Sequence, residues 1–263
     1  MNKLGYWWSE KTEPHTRVFE TVEHLTENQG HHSGNNLNHA RLYGNINYRD
    51  LGGGSLAHSA KTSAKNRVTL NIIQSMCDTV TARVAKAKPM ATYLTTGGDW
   101  AMQRKAKLLT KFTSGQFYSS DIYKVAPKVF LDACVFGTGI MMVLEKEDRI
   151  ACERVFPSEI IVDALEARYG EPRQMFRRKV ADKQVLASLF PESKDKIMEA
   201  ASIEDNDSLY RASEQIECIE AWHLPSSKGA SDGRHVITIE NATLLDDSWE
   251  RAGFPFVFID WTS

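Results

Sequence analysis

Apolar positions recur at three- and four-residue steps in the first half of the chain and alternate with polar ones in the second, the periods of helix and strand respectively. Val18, Val22 and Leu25 share one face and predict a short helix between Thr16 and Glu27. From Ser63 to Lys88 the signal is stronger: Val68, Ile72, Ile73, Met76, Val80 and Val84 form a stripe that excludes Lys65, Arg67, Arg83, Lys86 and Lys88. At 1.5 Å per residue such a helix spans roughly 38 Å. Pro89 ends it, because the residue before a proline is pushed out of the helical region. Met90–Thr96 then predicts a short strand closed by Gly97-Gly98. Asp99 is placed to cap a second helix carrying Ala101, Ala106, Leu108, Leu109 and Phe112. Asp121 is placed to cap a third, carrying Ile122, Val125, Val129, Phe130 and Ala133, with Pro127 near enough to its start to be tolerated. Phe136-Gly137-Thr138-Gly139 ends it.

After Gly139 the period becomes two. Ile140–Glu145 and Ile150–Phe156 flank four charged residues and predict a hairpin, and Ile160–Asp163 resumes the pattern beyond Pro157-Ser158-Glu159. Gln174–Val180 predicts a further strand. A short helix capped by Asp182 follows, with Val185, Leu186, Leu189 and Phe190, and stops at Pro191. Glu192–Asp207 is acidic and poorly patterned. Strands are expected over Ile216–Trp222, Arg234–Glu240, Leu244-Leu245 and Phe256–Trp261, with Pro225–Gly233 an exposed loop. The expected fold is α+β, with long helices followed by a mainly antiparallel sheet. Its expected division is an N-terminal arm over residues 1–60, a helical segment over 61–139 and a β-rich segment over 140–263, the last two forming one α+β unit.

Composition makes the chain globular and modifies this picture in one respect. Of 263 residues, 42% are hydrophobic and 25% charged, and the net charge is only −2. That figure conceals a separation: residues 1–60 carry 5 basic and 6 acidic side chains, residues 61–128 carry 12 and 3, and residues 129–263 carry 15 and 25. A basic segment beside an acidic one suits self-association or the steering of a polyanion, although solvated helix faces produce the same count. The sequence has no run of 18 uncharged apolar residues, so no membrane partner is expected. Residues 1–20 lack the apolar core of a signal peptide. Cys77, Cys134, Cys152 and Cys218 are dispersed without a C-x-x-C pair, which suits buried free thiols in a reducing cytosol.

Motifs for chemistry are sparse. Gly52-Gly53-Gly54 has neither the preceding strand nor the Gly-Lys-Ser/Thr of a P-loop. Gly137 to Gly139 follows a helix and precedes a strand, the reverse of a dinucleotide loop. His24, His31, His32 and His39 fit no metal-ligand spacing and are read as loop residues. His223 and His235 are candidates to face each other across a late hairpin but lack a third ligand. Neither a catalytic residue nor a cofactor or metal site is expected. Lys86, Lys88, Arg104, Lys105, Lys107 and Lys111 are the candidate contacts to DNA or to a neighbouring subunit, through phosphate charge rather than base readout.

Several segments, taken in order, resemble one family. Asn71–Val80 continuing through Arg83 to Lys88-Pro89, then Thr95–Asp99, is similar to the long helix, strand and turn of tailed-bacteriophage portal proteins, the head-to-tail connectors. Asp132–Gly139, an apolar strand and Val155–Asp163 resemble that family's central signature. Arg177–Phe190, Trp222–Gly233 and Phe254-Pro255-Phe256 also fit. The resemblance covers roughly residues 60–263 and corresponds to the wing-containing part, with the stem and clip expected to be missing. It implies a non-enzymatic structural subunit of a homo-oligomeric ring, typically twelve copies at full length, at the portal vertex of the virion. Such a ring is made in the bacterial cytoplasm and forms part of the channel for DNA packaging and ejection. The implied partners are the major capsid protein, the terminase large subunit, head–tail adaptor proteins and double-stranded DNA passing without sequence specificity. The alternatives from the residues alone are a nucleotide- or phosphate-binding enzyme using the glycine loops, and a non-specific DNA-binding module over residues 61–128.

Overall fold

The computed structural model describes residues 6–28, 30–44, 70–146, 149–203 and 214–261. The fold is mixed α+β with two antiparallel sheets. In chain order the helices and strands are α1 (Pro14–Asn28), α2 (Gly30–Tyr43), α3 (Ile72–Ala87), α4 (Trp100–Ser119), α5 (Ile122–Phe136), β1 (Thr138–Lys146), β2 (Arg149–Val155), β3 (Ile160–Ile161), α6 (Ala164–Tyr169), β4 (Gln174–Asp182), α7 (Lys183–Leu189), α8 (Lys194–Glu199), β5 (Gln215–His223), β6 (Arg234–Ile239), β7 (Ala242–Ser248) and β8 (Phe256–Asp260). Among the described residues, no helix is long and apolar enough to cross a membrane.

The chain divides into two compact units. One comprises residues 1–32 and 158–254, the other residues 33–157 and 255–263. These boundaries differ from the arm, helical segment and β-rich segment read along the sequence, for two reasons. The N-terminal residues enter a core rather than lying at the periphery, and β8 returns to pair with β1 across more than a hundred residues.

The first unit is built on a five-stranded sheet of order β3-β4-β5-β6-β7. Alternation along β5 sends Ile219 and Ala221 to one face and Ile216 and Cys218 to the other. Trp7, Val18, Val22 and Leu25 cover the first face, where Phe176 and Val236 are fully buried. Leu186 and Ala187 of α7, with Ile197 of α8, cover the second. The Arg234 guanidinium donates to the carbonyls of Trp7, Trp8 and Glu10 and pairs with Asp246, which ties the N-terminal segment to β6. Trp7 Nε1 donates to Gln174 Oε1 at 3.2 Å.

The second unit packs α5 on a three-stranded sheet of order β2-β1-β8. The expected hairpin forms, with Lys146 opposite Arg149. Gly137, at φ 90°, closes α5 in the left-handed region that glycine adopts without strain. A side chain on Gly139 would lie 2.0 Å from the Val129 carbonyl oxygen, so its absence is what lets β1 meet α5. Asp132 on α5 is 2% exposed and accepts both arms of the Arg154 guanidinium from β2.

Local expectations are met unevenly. Asp99 caps α4 by accepting from Met102 N at 2.9 Å. Asp121 precedes α5 but makes no capping bond with its side chain; it pairs with Lys124 instead. Met90–Thr96 is not a strand: among the described residues no strand is paired with it, and Tyr93 N donates to Thr110 Oγ1 on α4. Asn71 caps α3 by accepting from Gln74 N, and the expected helical residues 63–69 lie outside the described residues. The four histidines read as loop residues lie on helices, His24 on α1 and His31, His32 and His39 on α2. Glu192–Asp207 contains α8, whose Ile197 is fully buried. In α7, Leu186 is buried while Val185 and Leu189 face outward.

Candidate interaction surface

All six candidate basic residues are exposed. Lys86 lies in the last turn of α3. Lys88 follows in a left-handed conformation, φ 40°, with its ammonium 5.9 Å from the Tyr123 ring centroid. Arg104, Lys105, Lys107 and Lys111 all belong to α4, which has no acidic residue. At 100° per residue, Trp100, Arg104, Lys107 and Lys111 fall on a stripe roughly 60° wide. The Arg104 guanidinium sits 5.5 Å from the Trp100 ring centroid. Lys105 projects away from that stripe, on the side that also carries Phe112. None of the six pairs with a carboxylate among the described residues.

The same helices expose their apolar faces. Ile72, Ile73, Met76, Val80 and Val84 form the α3 stripe, and every one is exposed, Met76 to 65%. The side of α3 turned inward carries Cys77, Thr81 and Ala85, all half-buried. Leu108 borders the basic stripe of α4 at 58% exposure, and Phe112 lies farther round the helix, beside Lys105, at 62%. Among the described residues from 70 to 119, Ala106 alone is buried. An exposed apolar stripe of this kind on a folded chain marks a place where something else binds. Beside it, a cleft of about 180 Å³ is lined by Val84, Pro89, Phe117, Tyr123, Pro127 and Phe130.

The first unit carries a contrasting cleft of about 400 Å³. Its floor is Phe19, Ile203, Ile216 and Ile239, and its rim carries Glu20 and Glu23 from α1, Glu217 from β5 and Glu240 after β6. Glu20 pairs with Arg17 at 2.8 Å and Glu217 pairs with Arg178. Glu23 and Glu240 are exposed and have no cationic partner among the described residues. Sequence reading did not find this cleft, because its acids lie up to 220 positions apart and only the packing of α1 on the sheet assembles them.

The two late histidines do not face each other. Register places Arg234 opposite His223 and His235 opposite Trp222, so the one-residue offset sends the imidazoles to opposite faces of the sheet. His223 stacks on Trp8 with centroids 4.0 Å apart, and its Nδ1 lies 3.1 Å from the Asp232 carbonyl. His235 stacks on Trp222 at 4.9 Å, and its Nε2 is buried without a hydrogen-bond partner among the described residues. Burial lowers the pKa of both imidazoles. Among the described residues, no group of three metal-ligating side chains forms. All four cysteines are free; Cys218 is fully buried and its thiol is pushed up to about 12 by burial, while the other three are only half-buried. Gly137 and Gly139 serve the end of α5 and its contact with β1, and Gly52–Gly54 lie outside the described residues.

Comparison with known proteins returns no matching family model for this chain and no significant match among curated proteins.

Proposed function

We propose that this chain is a non-enzymatic structural subunit of a ring at the portal vertex of a tailed bacteriophage. The ring contributes to the channel for DNA and to the platform on which terminase and adaptor proteins dock. The observation that carries the subunit reading is the helical stretch 70–119, in which two amphipathic helices bury only Ala106 among the described residues. Each large apolar side chain left in water forgoes about 1.5–3 kcal/mol of burial, so such a surface is stable in solution chiefly when another protein covers it. The portal identity rests on the ordered resemblance over roughly residues 60–263, and the α+β character with the long helices preceding the strands agrees with it. Negative-stain microscopy of the purified chain tests this reading. Closed rings of a single kind of subunit are expected; particles that stay monomeric across a concentration series overturn it.

A second reading is favoured by one feature, the four cations and no acid of α4. As a non-specific DNA-binding module, the chain binds duplex with an affinity that falls steeply with salt. Alanine at Arg104, Lys105 and Lys107 flattens that salt dependence if the reading holds and leaves it unchanged if it fails. The nucleotide-binding reading predicts a raised melting temperature with a nucleotide panel, since a ligand held only by the native state stabilises it. The structural-subunit reading predicts no shift.

A further inference from the structure

We infer that α4 of one copy docks into the glutamate-rimmed cleft of the first unit of the next copy, so that the subunits associate head to tail. The inference rests on the subunit reading above and names the two faces that meet.

Charge decides between the two ways in which copies of one chain can associate. A two-fold interface puts the same patch on both sides, and α4 against α4 would bring Arg104, Lys105, Lys107 and Lys111 against their own copies with no acidic residue on the helix to offset them. Like charges in one interface disfavour that pairing. The complementary surface lies on the other unit. The residue ranges of the first unit contain 15 Lys and Arg against 24 Asp and Glu, and those of the second contain 17 against 10. Each chain therefore carries one acidic and one basic body, and opposite bodies of successive copies attract.

The details of the two faces match this polarity. On α4, Leu108 and Phe112 form an exposed apolar ridge with Arg104 and Lys111 along one side and Lys105 on the other, Lys107 lying just beyond Lys111. The cleft inverts this, with an apolar floor that includes Ile216 and Ile239 and a rim of four glutamates. Its volume of about 400 Å³ suits the side chains of a ridge rather than a whole helix, whose diameter is about 10 Å. Glu23 and Glu240 are the rim carboxylates with no cationic partner among the described residues, so a docked lysine finds them available. A head-to-tail contact repeats from copy to copy, and it closes into a ring when the rotation between neighbours permits.

Sedimentation velocity on the full chain with paired charge reversals tests the two faces. Lys107→Glu with Lys111→Glu, and separately Glu23→Lys with Glu240→Lys, are each expected to weaken self-association about tenfold or more, the lower end of what close interfacial charge pairs contribute. The chain carrying all four reversals is expected to recover wild-type association, because each copy again presents complementary faces. The glutamine pair Lys107→Gln with Lys111→Gln serves as the milder variant, and circular dichroism and melting temperature verify that each variant is folded. A wild-type oligomer indifferent to both pairs, or a fourfold variant as weak as either pair, overturns the docking while leaving the subunit reading standing. Tighter association of the α4 reversals overturns it in favour of a two-fold contact. Loss of duplex binding by the α4 reversals, with association untouched, overturns it in favour of DNA as the occupant. A wild-type chain that is monomeric at every concentration removes the subunit reading and the docking together.

Discussion

The same sequence pattern meets opposite fates in two parts of this molecule. On α1, Val18, Val22 and Leu25 recur at helical spacing and end 0%, 2% and 8% exposed against the five-stranded sheet. On α3, Ile72, Met76 and Val80 recur at equivalent spacing and end 63%, 65% and 37% exposed. Periodicity identifies which face of a helix seeks cover, and it is silent on whether the same chain supplies that cover. The sheet unit supplies it, because β4, β5 and β6 offer α1 a surface of Phe176, Ala221 and Val236. The second unit turns only the small residues Cys77, Thr81 and Ala85 of α3 inward, and the large ones remain in solvent.

This comparison is broken or sharpened by substitutions in the two regions. The largest effect is expected at Phe176, fully buried between α1 and the sheet: Phe176→Ala should cost about 3–5 kcal/mol through lost transfer energy and an unfilled cavity. Urea unfolding measures this, and a loss below about 1 kcal/mol would show that the sheet core is loose.

Next comes Arg154→Ala in the second unit. It leaves the Asp132 carboxylate, 2% exposed, without the guanidinium that neutralises it. Breaking a buried pair from one side costs about 3 kcal/mol. Asp132→Asn with Arg154→Met, which removes both charges, should recover most of that loss.

A smaller effect comes from pH. Burial, and for His235 the neighbouring Lys179, holds the imidazoles of His223 and His235 below their ordinary pKa, whereas in the unfolded chain they titrate near ~6.5. The unfolded state therefore takes up more protons as pH falls below ~6.5, and the stability that the neutral imidazoles confer is present above that value and lost below it. Glu220 and Asp247 act on His235 in the opposite sense and moderate its shift. Melting temperature should fall from pH 7 to 5.5, and His235→Phe, which keeps the stack on Trp222, should shallow that fall. An unchanged slope would place the pH sensitivity elsewhere.

The smallest effect is expected where the comparison is sharpest. Met76→Ala and Phe112→Ala should change the stability of the dilute chain by no more than about 0.5 kcal/mol, as at ordinary surface positions. In concentrated solution the same substitutions should weaken self-association. A stability loss near that of Phe176→Ala would mean that these side chains are already covered.

Much of the fold was legible residue by residue, and the failures share a cause. Asp99 announced α4, Gly137 announced the end of α5, and the alternation of Ile140–Glu145 with Ile150–Phe156 announced the first hairpin, because each is a local matter of caps, turns and period. Non-local pairings were not legible. Nothing in Phe256–Asp260 indicates that it returns to β1, and nothing in Tyr6-Trp7-Trp8 indicates that Trp7 is buried in the sheet core. Met90–Thr96 shows the converse error, a strand-like run with no strand to pair with among the described residues. The candidate surface was legible by half. The cations of α4 stand out in the sequence, whereas the glutamate-rimmed cleft exists only once α1 lies across the sheet.

The central claim is that α3 and α4 are covered by another copy of the chain and not by their own. Hydrogen exchange across a concentration series measures this most directly, since amide protection reports local opening region by region. The account predicts that α3 and α4 exchange quickly in dilute solution and gain protection as concentration rises, while β4, β5 and β6 remain protected throughout. Protection of α3 and α4 that is already high in dilute solution and independent of concentration would contradict it.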